Sequence, residues 1–462
     1  MLYVSTRGTA PALDFAGAMM AGLARDGGLY VPAVVPRLAP AEIAALAGLP
    51  YEEVAFRVIR PFTGETFADD DLRADIAAAY AGFAHPARAP LRQLAPGHFL
   101  CELFHGPTLA FKDFAMQLIG RLFARQLVRS GDRITIVGAT SGDTGSAAIE
   151  AFRGLPGVDV FILFPDGRVS EVQRRQMTTP VEPNVHALAI DGDFDTAQAR
   201  VKDMFNDFAF RDRVGLAAVN SINWARVLAQ VVYYFAAATA LGAPHRAVSF
   251  TVPTGNFGDI YAGAIARAMG LPIARLVIAT NQNDILHRAL TTGTYAPAGV
   301  RPSISPSMDI QVSSNFERAL FDALMRDGAA VAALMDDLRT QGAFTIPQGA
   351  LEGLRAAFAS GRASEDETTA TIARTLAATG ELLCPHSAVG VHVAEAHIGP
   401  EPMVTLATAH PAKFPDAVEA ATGIRPPLPP RMSGLMDRTE RVTRVPDDLA
   451  AIETLVLERT GR

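Results

Sequence analysis

The chain has 462 residues, 49% of them hydrophobic and 19% charged, with a formal net charge of −7. That is enough chain for two or three domains around a large core, and too acidic for a nucleic-acid partner, which needs a basic surface. The two cysteines, Cys101 and Cys384, are too far apart for a metal or redox spacing, and no H-E-x-x-H run or Cys/His group points to a metal. No basic-then-apolar stretch opens the sequence, and the longest apolar helix candidate, Val227 to Leu241, is interrupted by Gln230 and short for a bilayer. The expectation is a cytoplasmic protein with no membrane partner.

Residues 1–95 are Ala-rich and mostly helical in period, with turns at Arg25–Gly28 and Val31–Pro32, and read as a separate N-terminal segment packed on the core. From Arg133 the pattern alternates. Apolar runs at 133–137, 158–164, 185–190, 215–219, 248–252 and 273–279 are each followed by a helical stretch, and a last one at 403–407 returns late in the chain. Strands alternating with helices, in uninterrupted apolar runs, predict parallel βαβ units with sheets covered on both faces. Residues 315–380 read as a mainly helical insertion or subdomain, Arg425–Pro430 as a stiff extended linker, and Pro446–Arg459 as a closing helix. The expected division is 1–95, a catalytic region 96–430 with a smaller α/β unit near 130–220 and a larger one from 96–129 and 221–430, and a C-terminal tail 431–462.

Lys112 is the residue most out of place. It sits among Leu109, Ala110, Phe111 and Phe114, and apolar surroundings disfavour an ammonium. A neutral amine can attack a carbonyl and hold pyridoxal phosphate; a lysine snorkelling from a helix is the plain alternative. Thr251–Asp259 (TVPTGNFGD) follows a predicted strand and opens a helix. Gly255 and Gly258 permit a tight turn, and the new helix's amides favour a phosphate; a simple turn capped by Asn256 would read the same. Gly138–Ser146 (GATSGDTGS) is a second such loop, whose hydroxyls at Thr140, Ser141 and Thr144 suit a carboxylate or another phosphate. Neither loop carries the lysine of a nucleotide P-loop.

Thr408 ends the last strand, where its hydroxyl would meet a neutral ring nitrogen; Lys413 would reach an anionic substrate, and His410 reads as a turn residue before Pro411. Asn223 and Arg226 lie three apart at the start of a helix and share a face that suits a phosphate, with a Ser221 cap and a surface arginine as the bland reading. Ser314 and Glu317 read as a capping box. No G-x-S-x-G elbow supports a hydrolase.

Together, Leu103–Asp113, Ala139–Gly145, Asn220–Asn223, Pro253–Gly258 and Ala407–Phe414 resemble the threonine synthases, most closely the long bacterial and fungal form, and more broadly the tryptophan-synthase β-like enzymes of pyridoxal-phosphate fold type II. The resemblance implies an α/β fold of two parallel-sheet domains with a helical N-terminal segment. It also implies pyridoxal 5'-phosphate as cofactor and conversion of O-phospho-L-homoserine and water into L-threonine and phosphate. By the same resemblance Lys112 holds the cofactor and shuttles protons, and Gly255, Asn256, Phe257 and Gly258 hold its phosphate. Thr408 meets its ring nitrogen. Ser141, Asp143 and Thr144 face the substrate carboxylate and cofactor, and Asn223, Arg226 and Lys413 the substrate phosphate. A serine/threonine dehydratase of the same fold and a non-catalytic binding protein are the competing readings.

Overall fold

The computed structural model describes residues 1–462. Six strands make the larger sheet, in the order Ala359–Arg362, Ile273–Thr280, Val248–Pro253, Met403–Ala407, His98–Glu102 and Leu91–Ala95. All its neighbours run parallel except the last pair, which is antiparallel. A smaller all-parallel sheet has the order Thr443–Val445, Val185–Ile190, Val158–Pro165, Ile134–Ala139 and Leu216–Ala217. Val158–Pro165 is buried at every position, as is Val248–Pro253. Apolar runs without alternation therefore became central strands with helices on both faces.

Three boundaries differ from the sequence reading. The N-terminal segment packs on the core through Tyr3, Phe15 and Phe62, which share a cluster with Trp224, and its last strand, Leu91–Ala95, is the antiparallel edge of the larger sheet. The segment also contains a short antiparallel pair, Tyr3–Ser5 with Tyr30–Pro32. The stretch 315–380 is helical but not an insertion, because Ala359–Arg362 within it closes the other edge of the larger sheet. The C-terminal tail is a working part of the smaller domain: Thr443–Val445 adds a parallel strand beside Val185–Ile190, and Ile452 and Val456 of helix Leu449–Thr460 sit in that domain's own core. Three residues, Thr443-Arg444-Val445, are too few to announce a strand in sequence; pairing geometry alone defines it.

Both cysteines are free and buried, and no helix is long and apolar enough to cross a membrane. The two sheets direct the C-terminal ends of Ile134–Ala139, Val248–Pro253 and Met403–Ala407 toward one cavity, the position where parallel α/β sheets bind ligands.

Candidate active site

The cavity, about 210 Å³, has two chemically different ends. At one, Lys112 is the first residue of helix Lys112–Ser130. The loop before it is folded back by Asp113, which accepts from the Thr108 N–H at 2.8 Å and the Thr108 hydroxyl at 2.7 Å. Leu109 takes a left-handed φ of 66°, a conformation a branched residue holds only when its surroundings enforce it. The enforcement is visible: Phe111 N–H donates to the Thr408 carbonyl at 2.8 Å, and His410 N–H to the Leu109 carbonyl at 3.0 Å. Those two bonds join the lysine loop to the end of strand Met403–Ala407, so Lys112 and Thr408 line the same wall. The Thr408 hydroxyl makes no hydrogen bond within the protein and is free for a ligand, while His410 caps the turn Pro411–Lys413, as a turn residue should.

Lys112 is 8% exposed and stands at the positive end of its helix, where a cation is disfavoured. Burial pulls its pKa down; Asp143 opposes this, and the positive charges of Lys413 and Arg226 add to it. The balance turns on how Asp143 is occupied. Its Oδ1 accepts from Lys413 Nζ at 2.8 Å and Gln173 Nε2 at 2.9 Å, whereas Lys112 Nζ stands 3.4 Å from Oδ2. Ser307 Oγ also reaches Oδ2, at 3.3 Å. Burial works against the Asp143 charge, but Lys413, Lys112 and His386 together hold it well below the usual carboxylate range. Lys413 thus neutralises Asp143 at short range and leaves Lys112 only a long contact, so burial sets the direction of the lysine's shift.

The other end is built from backbone. The N–H groups of Gly255, Asn256, Phe257 and Gly258 make no backbone hydrogen bond within the protein, and they open helix Gly258–Ala268 with Phe257 at φ 66°. A Cβ on Gly255 would lie 2.8 Å from the Ser307 carbonyl oxygen, so only glycine passes there. Four adjacent free amides at a helix N-terminus suit a phosphate. The turn is braced from behind: Ser313 Oγ donates to the Gly255 carbonyl at 2.7 Å, and Asn315 donates to the Asn256 carbonyl through its N–H at 3.0 Å and its Nδ2 at 2.9 Å. Phe257 is clasped edge-on by Phe316 and Phe358. The capping box expected at Ser314 is absent. The helix begins at Phe316 without a side-chain cap, Glu317 instead binds Arg7 and Thr6, and Ser314 lines the cavity.

Ser141, Asp143 and Thr144 also line the cavity. Thr140 lines it as well, but its hydroxyl accepts the Gly142 and Gly145 N–H groups, both at 2.9 Å, and so shapes the loop. Arg226 is 3% exposed, lines the cavity and has no carboxylate partner; its one hydrogen bond is to the Val219 carbonyl at 3.4 Å and its Nε has none. Burial lowers its pKa to about 10, still cationic at neutral pH, so a buried guanidinium faces the cavity in want of an anion.

Two expected substrate residues are elsewhere. Asn223 is fully buried as the cap of helix Trp224–Ala240, donating to the Met19 and Ala218 carbonyls. Its donors are spent on the fold. Lys413 is also fully buried, held by Asp143 and by the Thr108 carbonyl at 2.8 Å, and it is not on the cavity wall. Sequence reasoning missed Gln173, Ser307 and His386. The first two carry no chemical signal of their own. His386, beside the helix-opening Pro385, could have been suspected only as one of ten histidines.

The donor set fits pyridoxal phosphate: a buried amine, a phosphate-ready turn and a free hydroxyl at a strand end surround one cavity. Sequence and structure comparisons agree. Residues 2–80 match the model described as "Threonine synthase N terminus", 86–351 "Pyridoxal-phosphate dependent enzyme", and 387–456 "Threonine synthase, C-terminal". The threonine synthase of Pseudomonas aeruginosa is 53% identical, covering 100% of this chain and 99% of that one. That of Saccharomyces cerevisiae is 40% identical, over 98% and 93%. The crystal structure of PLP-bound threonine synthase from Brucella melitensis superposes with a TM-score of 0.97 at 56% identity, covering both chains completely. The Escherichia coli threonine synthase structure gives 0.84 at 32% identity, over 99% and 100%. With every part of the chain accounted for in this way, it belongs to the threonine synthase family of pyridoxal-phosphate-dependent enzymes.

Proposed function

We propose that the chain converts O-phospho-L-homoserine and water into L-threonine and phosphate, the last step of threonine formation. The observation that carries this is the pairing of a buried lysine, freed from Asp143 by Lys413, with a second anion demand at Arg226 beyond the phosphate turn. Lys112 would hold the cofactor through Nζ. Gly255 to Gly258 would hold its phosphate, and the Thr408 hydroxyl its ring nitrogen. When bound, the cofactor supplies the electron sink that lets protons leave Cα and Cβ of the substrate.

Lys112, once free, takes and returns those protons, its proton affinity lowered by burial. Ser141 and Thr144, with the amides at the start of helix Asp143–Phe152, orient the substrate carboxylate. Arg226 holds the substrate phosphate and then the phosphate that leaves Cγ. A serine/threonine dehydratase has a substrate carboxylate to hold but no substrate phosphate, so it has no use for Arg226 in addition to the Ser141–Thr144 loop. The free, buried thiols accord with a reducing cytoplasmic setting.

The test is phosphate release from O-phospho-L-homoserine by the purified holoenzyme, with threonine quantified in the same tube. Equal amounts of both are expected. Phosphate without threonine would mark an elimination enzyme instead.

A further inference from the structure

His386 lines the cavity and is 3% exposed. It is the second residue of helix Pro385–Glu395, and its ring packs against Phe414 with centroids 4.7 Å apart. Its Nε2 accepts the Ser307 N–H at 3.1 Å. A backbone N–H can only donate, so Nε2 carries the lone pair and the proton of the neutral ring must be on Nδ1. Burial keeps the ring neutral, bringing its pKa to about 4 against the pull of Asp143. Nδ1–H is thus a solvent-shielded donor, and it has no acceptor in the protein. A buried unmade donor costs about 1–3 kcal/mol, and a wall residue of a ligand cavity recovers that cost when the ligand brings the acceptor.

The surroundings narrow what the acceptor is. Ser307 joins His386 to Asp143 through its Oγ, and Asp143 is already saturated by Lys413, Gln173, Ser307 and Lys112. Asp143 is the carboxylate whose charge bears on His386, and it makes no hydrogen bond with Nδ1. We propose that His386 is a substrate-binding residue whose Nδ1–H donates to an anionic oxygen of the bound amino acid, the α-carboxylate or the γ-phosphate. This rests on the threonine synthase reading of the cavity.

Calorimetric titration of the holoenzyme with L-threonine and, separately, with inorganic phosphate distinguishes the two sources. In His386→Phe, which keeps the ring against Phe414, one of the two dissociation constants should rise roughly tenfold or more while the other stays within about twofold. The L-threonine arm reports the carboxylate and the phosphate arm the γ-phosphate. Both constants unchanged, or both weakened alike, would overturn the assignment and return His386 to the core. On the wild-type holoenzyme, side-chain nitrogen-15 spectra should show His386 protonated on Nδ1, with that resonance moving when the ligand binds; protonation on Nε2 would overturn it whatever the variant does. If the wild type makes no threonine from O-phospho-L-homoserine, the functional reading fails instead, and the tautomer measurement still decides the donor.

Discussion

The two ends of the cavity solve the problem of holding charge in opposite ways. The phosphate end uses backbone: four free amides on one turn, fixed by Gly255 and a left-handed Phe257, and braced by Ser313 and Asn315. The lysine end uses side chains from distant segments, with Lys112, Asp143, Gln173, Ser307, His386 and Lys413 meeting around one carboxylate. A backbone site cannot be discharged by pH and needs no counter-ion. A side-chain site can be tuned, and here Lys413 tunes Lys112 by occupying Asp143. The first kind of site grips; the second sets a proton affinity.

Substitutions should therefore separate by end. Lys112→Ala should lower kcat by at least about a thousandfold, the scale of a lost proton shuttle, with the melting temperature nearly unchanged. Steady-state assay beside thermal unfolding checks this; substantial retained turnover would break the division. Lys413→Met comes next. It leaves a buried carboxylate without its close partner, which costs about 3–5 kcal/mol, read by urea unfolding at neutral pH. The sign of the pH effect follows from the depressed folded pKa of Asp143. Its contribution to stability is complete above the unfolded value of about 4 and is lost as pH falls below that. In Lys413→Met this acid-side loss should shrink, because the carboxyl no longer titrates so low.

His386 gives a second pH window. Its folded pKa of about 4 lies below the unfolded value of about 6.5, so the unfolded chain binds the extra proton between the two. Stability is full above about 6.5 and declines by about 3 kcal/mol on descending to 4. In His386→Phe the unfolding free energy should fall less steeply across that window.

At the other end, Gly255→Ala should weaken cofactor affinity about tenfold or more by pressing on the Ser307 carbonyl, with kcat at saturating cofactor within a few-fold of wild type. Ser313→Ala removes one brace of the turn and should cost about 1 kcal/mol, visible in cofactor titration and not in kcat.

The same contrast explains what could be read in the sequence. The phosphate turn was legible because contiguous glycines after a strand write it locally, and Lys112 because its neighbours are apolar. The occupancy of Asp143 was not, since Lys413 lies far along the chain and only the return of strand Met403–Ala407 beside His98–Glu102 brings it back. Asn223 misled for a related reason: helical spacing put it on the same face as Arg226, but a cap spends its side chain on the backbone. The C-terminal strand Thr443–Val445 was too short to be seen, and its pairing with Val185–Ile190 is what makes the tail part of the smaller domain.

The chain contains three lysines, Lys112, Lys202 and Lys413, and two of them converge on Asp143. Borohydride reduction of the holoenzyme followed by peptide mass mapping therefore tests the central claim directly. The account predicts the phosphopyridoxyl group on Lys112 alone, with Lys413 unmodified because it is committed to Asp143. Finding the group on Lys413 would contradict the assignment of roles at the lysine end.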